Sequence, residues 1–386
     1  HYIEADGILA AYPQADGHLK YQAERSLADW CGSIRARPAV RETRSGLPVT
    51  DMDALPLPAW DLVELGARDR FMADVVAKLG RGAWAFPIDG RTLPMISSRG
   101  CPYRCAHCSS NPSRTLDQPK RQVRHSPKHL DTLVRWLSDH GATRINVLDE
   151  MVNVEQSHFD ALLEQLNQRD LKYDFPNGMR ADRTTPEQLA AMAGRVTTLS
   201  ISAESGSQRV VSDVVDKKLD LAAIERTVAE TARLKIPTLV HFIIGMPGET
   251  RAEINETLDY ALRLHSEHDA WPAVQFATPL PGTRLADRAG PIAPVSDYSP
   301  LFQHHPVTSS EDFTPQHLTE FMATFQQRLM AGRGPQKVIM NVTYRCNNRC
   351  NFCAVGNRQQ VDGDFDFQKK VLLQYRKLGL SLVDFD

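Results

Sequence analysis

Three cysteines that begin at position 101 carry the clearest chemical signal in the chain. Cys101, Cys105 and Cys108 follow a C-x3-C-x2-C spacing. Three thiols at this spacing fit one short loop around a corner of a cubane iron–sulfur cluster, whereas full ligation by the protein takes four cysteines. One iron is then left without a protein ligand, and an open coordination position is where substrate chemistry takes place. The spacing therefore predicts a catalytic cluster.

The same spacing returns once, at Cys346, Cys350 and Cys353. Each copy follows an apolar run typical of a strand, at 93–97 before the first loop and at 338–342 before the second. Two independent copies, each at the end of a predicted strand, argue against a chance match.

A zinc site or a set of disulfides explains the cysteine spacing less well than an iron–sulfur cluster does. A structural zinc site needs a fourth ligand, and His107 lies inside the first loop, where it can hardly complete a tetrahedron. Seven cysteines is an odd number, and two tight clusters of identical spacing are not typical of a disulfide framework. The leftover Cys31 lies in a stretch with helical amphipathicity, where we predict a buried structural thiol.

The first loop resembles the signature of the radical S-adenosylmethionine (SAM) enzymes. The resemblance implies that the open iron chelates the amino and carboxylate groups of SAM. An electron from the cluster then cleaves SAM to a 5′-deoxyadenosyl radical. The residue before the third cysteine contacts adenine in that family, and here it is His107 in the first loop and Phe352 in the second. The implied cofactors are one [4Fe-4S] cluster per cysteine motif and SAM.

Bulk composition places the chain among ordinary globular proteins. Its 386 residues are 42% apolar and 24% charged, with a formal net charge of −2. This near-neutral net charge does not indicate the basic surface that binds nucleic acids. No apolar run reaches the length of a membrane span. Clustered free thiols suit a reducing cytoplasm. Because the chain starts at His1 and stops inside an apolar run, we expect a fragment of a longer polypeptide.

The order of apolar and helical stretches predicts the fold class. Gly82 to Arg99 reads as a hairpin that turns at Asp89-Gly90. From Leu93 onward, six strands alternate with five or six helices, and capping motifs start helices at Ser126, Thr185 and Thr250. The pattern predicts an α/β protein with a partial (β/α)6 TIM-like barrel, followed by the first βαβ unit of a second such barrel.

This order also gives predicted domain boundaries. Residues 83–285 form the radical SAM barrel, 286–335 an extension and linker, and 336–386 a truncated second domain. Residues 1–82 are predicted to be a linker or remnant. They also resemble the segment that joins a cobalamin-binding domain to the barrel in cobalamin-dependent relatives, so cobalamin is a further implied cofactor whose domain would precede His1.

Polar residues follow the predicted strands, at the end where ligands sit in such barrels. A carboxylate after the second strand can accept hydrogen bonds from the SAM ammonium. After the third strand, Arg180 is placed to pair with a carboxylate or a ribose hydroxyl. The resemblance implies ribose and methionyl contacts after the fourth strand and a backbone contact to adenine after the fifth. The candidate cofactor-binding residues on this rim are Asp149, Glu150, Arg180, Glu204, Ser205, Ile244, Gly245 and Gln275.

Several functions are compatible with these features. The first is a radical SAM enzyme of the cobalamin-dependent kind, whose commonest implied reaction is methylation of an unactivated carbon in a small molecule or natural product. The second is a tandem maturase of a peptide precursor. RNA modification is disfavoured by the charge balance, and a non-catalytic two-cluster electron carrier normally has four cysteines per cluster. The expected partners are a small-molecule or peptide substrate and a reductase or flavodoxin-type electron donor, with neither nucleic acid nor membrane.

Overall fold

The computed structural model divides into two compact units, His1–Leu318 and Thr319–Asp386. None of the helices in the described part of the chain is both long and apolar enough to cross a bilayer. The structure describes residues 9–10, 12–20, 22–34, 41–80, 85–110, 120–289, 305–331, 337–340, 364–377 and 382–385.

The first unit begins with a small parallel pair of strands, β1 (Gly17–Lys20) and β2 (Glu42–Ser45), joined by helix α1 (Glu24–Ile34). Trp30 of α1 lies against Gly17. Cys31 lies about 100° further around the helix and is exposed. The prediction of a buried thiol at Cys31 was wrong, because the face that α1 buries is the one that carries Trp30. Helix α2 spans Leu65–Leu79.

Six parallel strands form the frame that positions the site. They belong to two sheets of three, in the orders β3-β6-β7 and β8-β9-β10. Bridges from Tyr173 to Val196 and from Met179 to Ile201 connect the two sheets. The predicted α/β class with six strands is confirmed. The strands are β3 (Thr92–Met95), β6 (Arg144–Val147), β7 (Lys172–Asp174), β8 (Leu199–Glu204), β9 (Thr238–Ile244) and β10 (Trp271–Phe276).

The hairpin predicted across Asp89-Gly90 was wrong. Residues 85–91 form bends and coil, and β3 pairs in parallel with β6. Gly90 makes a turn with a positive φ, but residues 85–88, the described part of the apolar run before it, form no strand. The antiparallel pair in this region is instead β4 (Ser98–Arg99) with β5 (Val123–Arg124), which brackets the cysteine loop.

Capping side chains start the helices where the sequence predicts. Ser126 accepts from the His129 N–H at the start of α3, and Thr185 and Thr250 each form a complete capping box. These three predictions are confirmed. The helices that follow α2 in the first unit are α3 (Pro127–Asp139), α4 (Gln156–Asn167), α5 (Pro186–Met192), α6 (Leu221–Arg233), α7 (Arg251–His268) and α8 (Arg284–Ala289), and α9 (Pro315–Ala331) begins at its end.

Alternation along the strands separates a helix-covered face from an inner face. In β9, Val240, Phe242 and Ile244 are buried, and the residues between them are only half-buried. Because successive side chains point to opposite faces of a strand, the inner face carries His241 and Ile243. The outer face packs under the helices as the core.

In the second unit, β11 (Lys337–Met340) and β12 (Leu382–Phe385) pair in parallel, with helix α10 (Phe365–Lys377) between them in sequence. This is one βαβ unit, in the place where the sequence predicts it. The second cysteine loop, with Cys346, Cys350, Phe352 and Cys353, lies outside the described residues.

Candidate active site

The first cysteine loop is fixed to the rest of the first unit by hydrogen bonds. Ala106 donates to the Val215 carbonyl (2.7 Å) and accepts from the Leu285 N–H (3.0 Å). At the start of the loop, the Gly100 N–H donates to Glu150 Oε2 at 2.6 Å. These contacts come from residues far apart in sequence, so the loop conformation depends on the assembled domain.

The three thiols in this loop are half-buried and form no disulfide. Burial raises the pKa of Cys105 to about 12 and also raises the pKa of Cys101. Such thiols become thiolates when a metal supplies the counter-charge. Among the described residues, one group of three ligand atoms lies within 4.8 Å, and it does not include these cysteines. The three thiols therefore do not all lie within 4.8 Å of one another.

Arg180 connects the cysteine loop to two neighbouring segments of the chain. Its guanidinium is buried, makes a paired contact with Asp182 (2.9 and 2.8 Å) and donates to the carbonyls of Lys217 and Lys218 (both 3.0 Å). The ring of Tyr103, from the cysteine loop, lies 3.9 Å from the guanidinium carbon. Four of its five N–H donors are therefore engaged by the protein. This differs from the expectation that Arg180 pairs with a ligand, because its donors already hold two loops together.

Asp149 anchors the strand that leads into the loop. Its buried carboxylate accepts from the Ser97 N–H (2.7 Å), the Ser97 hydroxyl (2.6 Å) and the Ser98 hydroxyl. Burial raises its pKa to about 6 against the lowering effect of these bonds. Both carboxylate oxygens face the protein in this structure, whereas the sequence predicted a contact with the SAM ammonium. Glu150, on the solvent side, instead fixes Gly100.

A buried ion pair lies beside the cysteine loop. Lys217 Nζ donates to Glu204 Oε1 at 2.7 Å and to the Ser202 carbonyl at 2.6 Å. His107 Nε2 lies 3.9 Å from the same carboxylate oxygen. Burial alone would raise the pKa of Glu204, but the Lys217 ammonium and His107 outweigh it and lower the pKa to about 2. Glu204 is therefore ionised at the predicted SAM position.

Lys217 was missed from the sequence. It sits in the run Asp216-Lys217-Lys218, which is typical of a solvated surface loop. Its two neighbours adopt positive φ values of 58° and 52°, and this backbone turns the middle side chain inward. No spacing rule identifies such a residue.

Ser205, expected to touch SAM, instead joins β8 to α7. It is fully buried, and its hydroxyl lies 2.8 Å from the Thr257 hydroxyl. The Gly206 N–H donates to the same Thr257 oxygen at 3.0 Å, and a Cβ at Gly206 would lie 2.7 Å from the Glu256 carbonyl. The Ser205 hydroxyl is thus engaged inside the protein, whereas the resemblance implied a contact with SAM.

The turn after β9 is closed by a buried carboxylate. Glu249 Oε2 accepts from the N–H groups of Gly245 (2.7 Å) and Met246 (3.1 Å), and the Thr308 hydroxyl donates to the Gly245 carbonyl at 2.7 Å. Gly245 has a φ of 88°, where a side chain would also meet Leu318. Ile244 is buried ahead of this turn, and its backbone carbonyl accepts from Ala277.

Gln275 lies on the inner face of β10, the strand that pairs with β9. In the register of β9 with β10, it lies opposite Ile243 and is half-buried. Six of the described candidate residues thus separate into two groups. Those placed toward the cysteine loop or the inner face are His107, Glu204 and Gln275, and those engaged inside the protein are Asp149, Arg180 and Ser205.

We expect the stability of the domain to fall with rising pH because of Glu249. Burial raises its pKa to about 8 from 4.5, and a raised carboxyl pKa costs stability as pH increases from the unfolded toward the folded value. Replacing Glu249 by Gln should remove this dependence. The unfolding free energy of the parent minus that of E249Q, from urea denaturation, should fall by roughly 4 kcal/mol as the pH rises from 5 to 8, because only the parent loses stability. A constant difference would show that the two N–H groups keep Glu249 ionised throughout.

Comparison with known proteins identifies this arrangement. Residues 95–261 match the family model described as the radical SAM superfamily. This part of the chain is a radical SAM domain. An uncharacterised methyltransferase of Pyrococcus horikoshii is 26% identical over 246 residues, which cover 62% of this chain and 48% of that protein. Cytidylyl-2-hydroxyethylphosphonate methyltransferase of Streptomyces wedmorensis is 24% identical over 295 residues, or 73% and 51%.

The chain spans about half the length of these curated relatives. Among solved structures, the apo form of the cobalamin-dependent SAM radical enzyme OxsB has a TM-score of 0.46 at 15% identity. That match covers 82% of this chain and 59% of OxsB.

Proposed function

We propose that the radical SAM domain binds a [4Fe-4S] cluster through Cys101, Cys105 and Cys108 and cleaves SAM reductively. The observation that carries the proposal is the fixed loop of three thiols beside the buried pair of Glu204 and Lys217. An electron-carrier protein has no need of such a charged group next to its cluster.

The residues present suit the proposed cofactors. Burial raises the pKa of Cys105, so its thiolate needs a metal counter-charge, and the Nδ1 atom of His107 is buried without a partner among the described residues. When bound, the cluster supplies the electron that breaks a carbon–sulfur bond of SAM and gives the 5′-deoxyadenosyl radical. We propose that the ring of His107 contacts adenine, which would give Nδ1 a partner.

The remaining roles follow from charge and position. Glu204 is held ionised by Lys217 and can accept hydrogen bonds from the ribose hydroxyls or the ammonium of SAM. We propose that the backbone at Ile244 and Gly245 packs against adenine and that Gln275 contacts polar groups of the ligand on the inner face. Asp149, Arg180 and Ser205 hold the loop and strands in place, and the low-solvent interior protects the radical.

For the reaction, we propose cobalamin-dependent methylation of an unactivated carbon in a small molecule, within a partial (β/α)6 barrel of residues 83–285. Two relatives named as methyltransferases support methyl transfer. The resemblance of residues 1–82 to a cobalamin-domain linker supports the second cofactor. A flavodoxin-type reductase would deliver the electron. The second cysteine set, Cys346, Cys350 and Cys353 with Phe352 at the adenine position, is proposed to hold a second cluster.

The test is anaerobic reconstitution of the full-length protein with iron and sulfide, then incubation with SAM and reductant. The C101A/C105A/C108A variant should lose 5′-deoxyadenosine formation by at least a hundredfold. Cys31→Ala, which removes the exposed cysteine outside the loop, should retain it. S-adenosylhomocysteine beside deoxyadenosine would support methyl transfer. Deoxyadenosine at parental levels in the triple variant would overturn the assignment to this domain.

A further inference from the structure

A second cluster of metal-ligating side chains lies away from the cysteine loop. Asp53 Oδ1 lies 3.1 Å from Nδ1 of His125 and 3.8 Å from Nδ1 of His129. The three residues offer ligand atoms that all lie within 4.8 Å of one another. None of them takes part in the site proposed above.

Three separate elements bring these side chains together. His125 follows β5 directly, and His129 lies in the first turn of α3. Asp53 belongs to the proline-rich segment 51–61 and accepts from the Ser126 N–H at 3.0 Å, next to the helix start. The convergence therefore depends on docking of this segment against the barrel, over a separation of 72 residues.

The donor set is one that zinc uses. Two imidazoles and one carboxylate, with a water in the fourth position, form a recognised zinc site, and metal–ligand bonds near 2.0–2.1 Å place tetrahedral ligand atoms about 3.3 Å apart. The observed separations of 3.1 and 3.8 Å bracket that value. We propose that Asp53, His125 and His129 bind a divalent transition-metal ion of the zinc class.

The charges at the cluster suit a dication. Each imidazole can offer a ring-nitrogen lone pair to a metal when its proton lies on the other ring nitrogen, and Asp53 offers a carboxylate oxygen. With both imidazoles neutral, the three ligands together carry one negative charge, and the ring proton that His125 shares with Asp53 moves to Nε2 when Nδ1 takes the metal.

One ring must turn for the metal to bind. The rings of His125 and His129 are stacked, with centroids 4.2 Å apart and planes within 5°. Parallel rings cannot direct both nitrogen lone pairs to one ion. Both histidines line a cavity of about 330 Å³, bounded by apolar side chains that include Met52, Leu55 and Leu133. The His129 side chain, which is 17% exposed, can rotate into this space, and the cavity can supply the fourth, water ligand.

Metal binding there would fasten segment 51–61 to the strand pair that frames the cysteine loop. His125 donates its N–H to the Ser97 carbonyl, and β5 pairs with β4 immediately before Gly100. The metal is thus a structural link from the proline-rich segment to the loop. This inference is independent of the reaction proposed for the domain.

Zinc binding to the full-length protein tests the proposal. The cysteine clusters are first reconstituted, loosely bound metal is removed with a chelator, and Zn²⁺ uptake is measured by equilibrium dialysis. The parent should bind one equivalent more than His125→Phe and His129→Phe, which keep an aromatic ring in the stack. His140→Phe, a change at the other end of α3, should bind as the parent does.

Thermal unfolding with and without Zn²⁺ gives a second readout. Zinc should raise the Tm of the parent and of H140F by the same amount and should leave H125F and H129F without that increment. Circular dichroism checks that each variant is folded. Should His125→Phe fail to fold, the more exposed His129→Phe still decides the outcome. Equal zinc uptake by the parent and a folded H129F protein would overturn the proposal.

Discussion

Lys217→Met is expected to lower the free energy of unfolding by roughly 3–5 kcal/mol, since it leaves the buried Glu204 carboxylate without its counter-charge. The Lys217 and Glu204 side chains are 5% and 8% exposed, so water cannot replace the lost partner. The same change should weaken SAM binding, because Glu204 is then driven toward its protonated form. Urea denaturation and equilibrium dialysis with labelled SAM measure the two effects.

Two further variants separate the ion pair from general damage to the loop. Lys218→Met changes the adjacent lysine, whose side chain is 67% exposed, and should alter stability by no more than about 0.5 kcal/mol. The double variant E204Q/K217M should regain most of the stability, because neither charge is left buried alone. A loss in Lys217→Met no larger than in Lys218→Met would contradict the assigned role.

Gly100→Ala is expected to abolish most cluster assembly in the first loop. Gly100 has a φ of 92°, and a Cβ there would lie 2.3 Å from the Arg121 carbonyl oxygen, a backbone atom that cannot move aside alone. The loop would have to shift and would lose the bond from the Gly100 N–H to Glu150. After reconstitution, the iron and sulfide content per protein should fall by roughly the amount in one [4Fe-4S] cluster.

A glycine without the steric conflict provides the control for this change. Gly80 has a φ of 77°, and a Cβ added there would meet no atom within 4 Å beyond its chain neighbours, so Gly80→Ala tests the backbone strain alone. That strain costs about 1–3 kcal/mol and should leave the cluster content unchanged. Equal cluster content in Gly100→Ala and Gly80→Ala would show that the close approach to Arg121 is not required.

Local patterns in the sequence predicted much of the frame. The caps at Ser126, Thr185 and Thr250 involve contacts across three residues, so a short window contains both partners. Alternating strands and helices likewise indicated the parallel α/β order. The Asp89-Gly90 hairpin failed because a turn signal does not say whether the run before it has a partner, and β3 found its partner in β6 instead.

The candidate site likewise combines features that local sequence predicts with features that depend on tertiary contacts. By itself, the sequence determined the three-cysteine motif, the polar residues after the strands and the glycine turn before Glu249, because each depends on residue type and close spacing. Only the tertiary structure decided that Lys217 turns inward to Glu204, that Arg180 and Asp149 are used up inside the protein, and that Asp53 reaches His125. Those contacts join residues 13 to 72 positions apart, or bury a side chain that looks solvated in sequence. Their energies come from burial and charge pairing in the assembled domain, and no local pattern encodes them.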